Sequence, residues 1–188
     1  MGLDGVRVAV VPLFITEGLG EPAPMAGVVL AVYAAGNVAA ILLAGRLSDR
    51  FGRRRIMLPG LAIMAASTVV LGYSPNLAVA LLLSLTAGVG SGLFAPTHQA
   101  ALADVLGASR QGGSALAAYG MSSDLGAVTG PIVGGFVADR LGFGPAFVFT
   151  GIVAALAFFF WLRARETAPA VADGPASGHT PGKPDATL

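Results

Sequence analysis

The chain has no cysteine, which excludes a disulfide framework and a thiolate metal site alike. It has a single lysine, Lys183, and a single tryptophan, Trp161. Charged residues make up only 11% of it, where a soluble domain carries about 25%. So little polar surface excludes a soluble all-α core. No nucleotide-binding loop, no nucleophile–base set and no pair of carboxylates is visible. Neither an ATP-driven pump nor a membrane enzyme is therefore supported. Nothing points to nucleic acid. His98 has no other ligand beside it in sequence, and no metal or cofactor is expected. No separate signal peptide is expected either, because Asp4 and Arg7 interrupt the start and no A-x-A-like cleavage site follows.

What is present is hydrophobic: 55% of the 188 residues, with 27 Gly and 12 Pro. Gly and Pro are both more frequent in membrane helices than in soluble ones. Apolar runs follow one another along the chain. They are Val6–Leu19, Met25–Ala44, Ile56–Gly72, Leu77–Ala103, Ser114–Ala138 and Phe143–Leu162. A span needs about 20 apolar residues, so the first run reads as the outer part of a helix whose inner part is missing. The others are adequate. Residues 1–165 are expected to form an all-α, multi-spanning bundle of six helices. Residues 166–188, rich in Ala, Pro, Gly and Ser without apolar periodicity, are expected to be a disordered tail.

The net charge of +1 conceals a strong asymmetry. Of the 11 basic residues, Arg46, Arg50, Arg53, Arg54 and Arg55 fall in one segment, Gly45 to Arg55. Each would cost at least ~2.5–3.5 kcal/mol at the bilayer centre. The segment is therefore expected to be a surface loop, and the positive-inside rule makes that surface cytoplasmic. Both termini then lie inside. The other loops agree: Arg110, Arg163, Arg165 and Lys183 fall inside, and Glu17, Glu21 and Asp139 outside with one cation, Arg140. Arginine in place of lysine, with much Ala and Gly, points to a GC-rich bacterial genome and so to a bacterial inner (plasma) membrane.

Gly45-x-x-x-Asp49-Arg50-x-Gly52 recurs as Gly135-x-x-x-Asp139-Arg140-x-Gly142, shifted by 90 residues at all four positions (135 − 45 = 90). Each copy follows the second helix of a group of three, the first copy inside and the second outside. A three-plus-three repeat of opposite topology is a transporter architecture.

Gly45-Arg46-Leu47-Ser48-Asp49-Arg50-Phe51-Gly52-Arg53-Arg54 resembles the signature loop of the major facilitator superfamily, between helices two and three of each six-helix half. Gly126-x-x-x-Gly130-Pro131-x-x-Gly134-Gly135 resembles the glycine–proline element that this family carries on the fifth helix of a half, especially in exporters. The resemblance runs to about Arg165. It implies half of a twelve-helix transporter that works by alternating access, with a small-molecule substrate, protons as the coupling ion, export as the direction, and a second six-helix half as partner. The family's first half usually carries an arginine near the start of its fourth helix. Residues Leu85 to Gly90 have none, and the sixth helix leads to a chain end, so the C-terminal half is expected; the glycine–proline element, better known from the first half, argues the other way.

Candidate residues follow. In the signature segment, Gly45 and Gly52 permit close approach and a sharp turn, while Asp49 can pair with Arg50 or Arg53 or cap the third helix. Ion pairs made in one conformation and broken in another, with Arg54 beside them, would gate access. A topology anchor is the simpler alternative. Gly126, Gly130 and Gly134 form a small-residue stripe that lets helices pack closely, and Pro131 and Gly135 add flexibility. Asp124 is the only acid placed in the middle of a span, ~16 Å deep at 1.5 Å per residue. It points away from the glycine stripe and is the candidate proton or cation carrier, with capping by Ser123 as the alternative. Tyr33 and Asn37 share a face of the second helix. Ser84, Ser91 and His98 make a polar stripe on the fourth, through Gly88, which lines either a water-filled path or a tight helix contact. Three other functional readings stay open. They are an inactive or partner-dependent transporter fragment, a non-transporting membrane-interaction protein, and a membrane enzyme.

Overall fold

A computed structural model of the chain describes residues 2–107 and 112–163. The expected tail, 166–188, lies outside the described residues. The chain is all helical: α1 (Gly2–Leu13), a π turn (Phe14–Gly18), α2 (Ala23–Phe51), α3 (Arg53–Leu71), α4 (Leu77–Gly107), α5 (Gly112–Leu141) and α6 (Phe143–Arg163). Six helices and no strand, among the described residues, agree with half of a major-facilitator-type fold.

Pro12 removes one amide donor from α1. Directly after it the helix widens into the π turn, closed by Leu19 N–H to Phe14 carbonyl at 2.9 Å. Three helical stretches are long and apolar enough to cross a membrane: Ala23–Ser48, Arg54–Leu71 and Leu77–Gln99. The apolar part of α6, Phe143–Phe159, is shorter. At 12 residues α1 falls well short, and α5 is diluted by Gly, Ser and its charged residues Asp124, Asp139 and Arg140.

The arginine segment is not a loop. α2 stays helical through Phe51, and α3 resumes at Arg53. The 29 residues of α2 make ~44 Å at 1.5 Å each, more than the ~30 Å hydrocarbon core. Its last turns therefore project into the headgroup region, where arginine, a good helix former, costs nothing to keep helical. The whole reversal is made at Gly52, with φ 91° and ψ 141°, whose N–H bonds to the Ser48 carbonyl at 3.0 Å. The second copy of the repeat does the same. α5 ends at Leu141, Gly142 has φ 90° and its N–H meets the Ala138 carbonyl at 2.9 Å, and α6 starts at Phe143. An L side chain at either glycine would cost roughly 1–3 kcal/mol of backbone strain. The repeat read from four positions thus recurs as the same glycine turn.

One pair of helix contacts follows the same symmetry. α2 lies chiefly on α4, and α1 chiefly on α5. Exchanging the first three helices with the last three maps one pair onto the other. α3 packs on α4 and α6. One core gathers Val10, Val11, Phe14, Ile15, Val29, Leu71, Ala146 and Phe147, with Phe14 edge-on to Phe143 and Phe147 at 5.7 and 5.6 Å. A second core joins Leu61, Met64 and Ala154 with Phe94 and Phe158.

Candidate functional site

α4 is the helix that α2 and α3 close upon. Gly88 and Gly92 face the backbone of α2, at Tyr33 and Asn37. Gly90 faces α3, where a Cβ would stand 2.6 Å from both the Gly60 carbonyl oxygen and the Met64 nitrogen. Gly36 and Gly60 return the approach from α2 and α3. Ser84 and Ser91 are buried along this seam, and the Ser67 and Thr86 hydroxyls bond across α3 and α4 at 2.9 Å. The seam brings Gly88 and Gly92 against the backbone at Tyr33 and Asn37 in a tight helix contact. Glycine has to stand there because the backbones touch.

His98 lies further along α4, half-buried. Its ring stacks on Phe94 at 5.2 Å, and its Nδ1 shares a 3.2 Å hydrogen bond with the Tyr119 hydroxyl of α5. This ties α4 to α5, a pair that otherwise touches little. Tyr119 was not among the candidates, since an isolated tyrosine in an Ala-rich stretch carries no sequence signal.

Asp124 is exposed on α5. Beside it Met121 (70% exposed), Leu125, Val128, Ile132 and Phe136 recur three or four residues apart as one open apolar stripe. The glycine stripe is on the other side of the helix: Gly134 is buried, and Gly126, Gly130, Pro131 and Gly135 are half-buried. Asp124 is therefore not brought together with His98, nor with Tyr33 and Asn37 in the α2–α4 seam.

A further charged side chain was missed by the sequence reading. Arg7 of α1 is only 5% exposed. Its Nη2 donates to Thr68 Oγ1 of α3, and its guanidinium lies 4.5 Å from the centre of the Tyr33 ring of α2. It thus links three helices. The signal was available, because Arg7 is the one cation inside the first apolar run, and an ionisable residue in a span is by default buried and partnered.

In the signature segment the arginines divide. Arg54 donates from Nη2 to the Leu162 carbonyl at the end of α6, where a cation is favoured by the helix dipole. Arg46, Arg50 and Arg55 are exposed. The side chains of Asp49 and Arg53 lie outside the described residues, as do any ion pairs they make. A Cβ added at Gly45 or at Gly135 would meet nothing within 4 Å. Among the described residues no group of His, Asp or Glu is placed to hold a metal ion.

The family model of the Major Facilitator Superfamily matches residues 1–185. The tetracycline resistance protein, class B, of Escherichia coli is 32% identical over 167 residues, 87% of this chain and 41% of that protein. A major facilitator superfamily multidrug transporter, mfsC, of Aspergillus fumigatus is 33% identical over 153 residues, 79% of this chain and 30% of that one. The multidrug resistance protein MdtG of Dickeya zeae is 36% identical over 124 residues, 64% and 30% of the two chains. The matched region thus spans less than half the length of each of these relatives. Their names denote transport or drug resistance, not an enzymatic activity.

Proposed function

The chain belongs to the major facilitator superfamily, and from that premise we propose that it serves secondary active transport of a small molecule by alternating access, as proton-coupled efflux. The observation that carries this reading is Asp124. A carboxylate stands in mid-helix on an open apolar face. Facing hydrocarbon it would cost at least ~2.5–3.5 kcal/mol, so that face of α5 is covered in the working protein. The cover that fits is a second six-helix half, leaving a water-accessible path for Asp124 between the halves. The unoccupied space beside Gly45 and Gly135 is consistent with a neighbour outside this chain.

In this reading Asp124 takes and releases the proton, and Arg7 with Tyr33 holds α1 against α2 at the outer half of the path. The α2–α4 seam moves as one body. Gly52 and Gly142 are the fixed corners at opposite faces of a bacterial inner membrane, with the Gly52 corner and both termini cytoplasmic. The drug-resistance names of the relatives favour amphipathic drug-like solutes.

The test is accumulation of fluorescent amphipathic compounds in proteoliposomes under an imposed pH gradient, with the chain alone and with a six-helix first half. Accumulation that needs the gradient and collapses with a protonophore is the expected result. Accumulation indifferent to the gradient would remove the proton from the mechanism. No movement of any solute in either preparation would leave a non-transporting membrane protein.

A further inference from the structure

The arginine-bearing end of α2 has two neighbouring exposed stripes. Leu43 (55% exposed), Leu47 (36%) and Phe51 (51%) follow one another at four-residue steps. Arg46 and Arg50, also four apart and exposed, run alongside. At 100° per residue Arg46 to Phe51 occupy about 140° of the helix circumference, so both stripes share one side. Arg50 lies over the Phe51 ring, 5.4 Å from its centre, and Arg55 opens α3 across the Gly52 turn, exposed as well. Against these cations the segment has a single acid, Asp49. Arg54 is excluded from the group because it is turned to the Leu162 carbonyl of α6.

Two guanidinium groups about one helical turn apart can hold a phosphate between them, each with paired N–H donors. The leucine and phenylalanine stripe beside them runs back toward the hydrocarbon. One end of the site therefore wants an anion and the other wants an alkyl chain. A free phosphate satisfies only the first, and a neutral lipid only the second.

We propose that this end of α2 is a binding site for an anionic phospholipid, its phosphate on Arg46 and Arg50 with Arg55 nearby, and its acyl chains running back along Leu47 and Leu43. The second copy of the repeat keeps only one of these cations, Arg140, with Phe136 in place of Arg46 and Pro145 in place of Arg55, so the arginine pair is not repeated there. The site would thus tie one face of the membrane, and only one, to the corner between α2 and α3.

The detergent-solubilised full chain is titrated with phosphatidylglycerol and, separately, with phosphatidylcholine, and bound lipid is read by native mass spectrometry. Phosphatidylglycerol is expected to bind more tightly. Two basic side chains at about 1 kcal/mol each amount to a factor of about thirty, the loss expected for Arg46→Gln with Arg50→Gln. Arg46→Lys with Arg50→Lys, which keeps the charge but not the paired donors and guards against a folding artefact, falls between the parent and the double glutamine variant. Arg54→Gln leaves it unchanged. Equal binding of the two lipids would overturn the proposal. So would undiminished phosphatidylglycerol binding by the double glutamine variant, or displacement of the lipid by inorganic phosphate at the same concentration.

Discussion

Asp124→Asn is expected to reduce pH-driven solute flux to the level of empty liposomes, while substrate binding and solute exchange stay near those of the parent. Asparagine has almost the shape of aspartate and keeps a carbonyl acceptor, but it cannot carry a proton. The side chain is exposed on α5, so the exchange disturbs no packing within the bundle. A purely structural acid, capped by Ser123, would instead show its loss in stability and not in coupling. Asp124→Glu separates these further, since it moves the carboxyl by one methylene and retains proton-driven flux at a reduced rate. Unchanged pH-driven flux in Asp124→Asn would sink the assignment.

The largest effect on stability is expected at Gly90. Its missing Cβ would stand 2.6 Å from the Gly60 carbonyl oxygen and 2.6 Å from the Met64 nitrogen. Both are backbone atoms that no rotamer change can move. Gly90→Ala must therefore part α3 from α4 and open the Ser67–Thr86 hydrogen bond. Overpacking of this kind costs about 3 kcal/mol, which lowers the midpoint of thermal unfolding by about 10 °C in a chain of this size. Gly45→Ala is the control, because a Cβ there meets nothing within 4 Å and alanine is the better helix former. Its midpoint should equal or exceed the parent's. A Gly90→Ala protein as stable as the parent would show that the α3–α4 approach is looser than described.

Much of this architecture was legible in the sequence, for a physical reason. In lipid every backbone amide must be paired, so long apolar runs are helices and charged segments mark their ends. The repeat was legible because its reversal needs a positive φ, and only glycine holds Gly52 and Gly142 there without strain. The helicity of the arginine segment was hidden. Charge density tells where the hydrocarbon ends but not where the helix does, and α2 continues beyond it.

The site was only partly legible. Asp124 stood out because an acid in an apolar run is costly unless a partner or a cavity faces it. The stripe at Gly126, Gly130 and Gly134 attracted the close-packing argument by its regular spacing. The close approaches described for α4 sit at Gly88, Gly90 and Gly92, where alternate residues face α2 and α3. A helix wedged between two neighbours shows no single small-residue face, so a one-face pattern does not find it. Arg7 and Tyr119 acquire their meaning from partners on other helices, Thr68 and Tyr33 for the first and His98 for the second, and such contacts are tertiary facts.

The central claim is that the two matching corners lie on opposite faces of one membrane. Single cysteines test it directly in a chain that has none of its own. Arg55→Cys and Arg140→Cys both replace exposed side chains beside a corner. With a membrane-impermeant maleimide, the Arg140→Cys protein should label in intact cells, and the Arg55→Cys protein only after the cells are opened. Labelling of both positions from the same side would contradict the inverted repeat, and with it the alternating-access reading built on it.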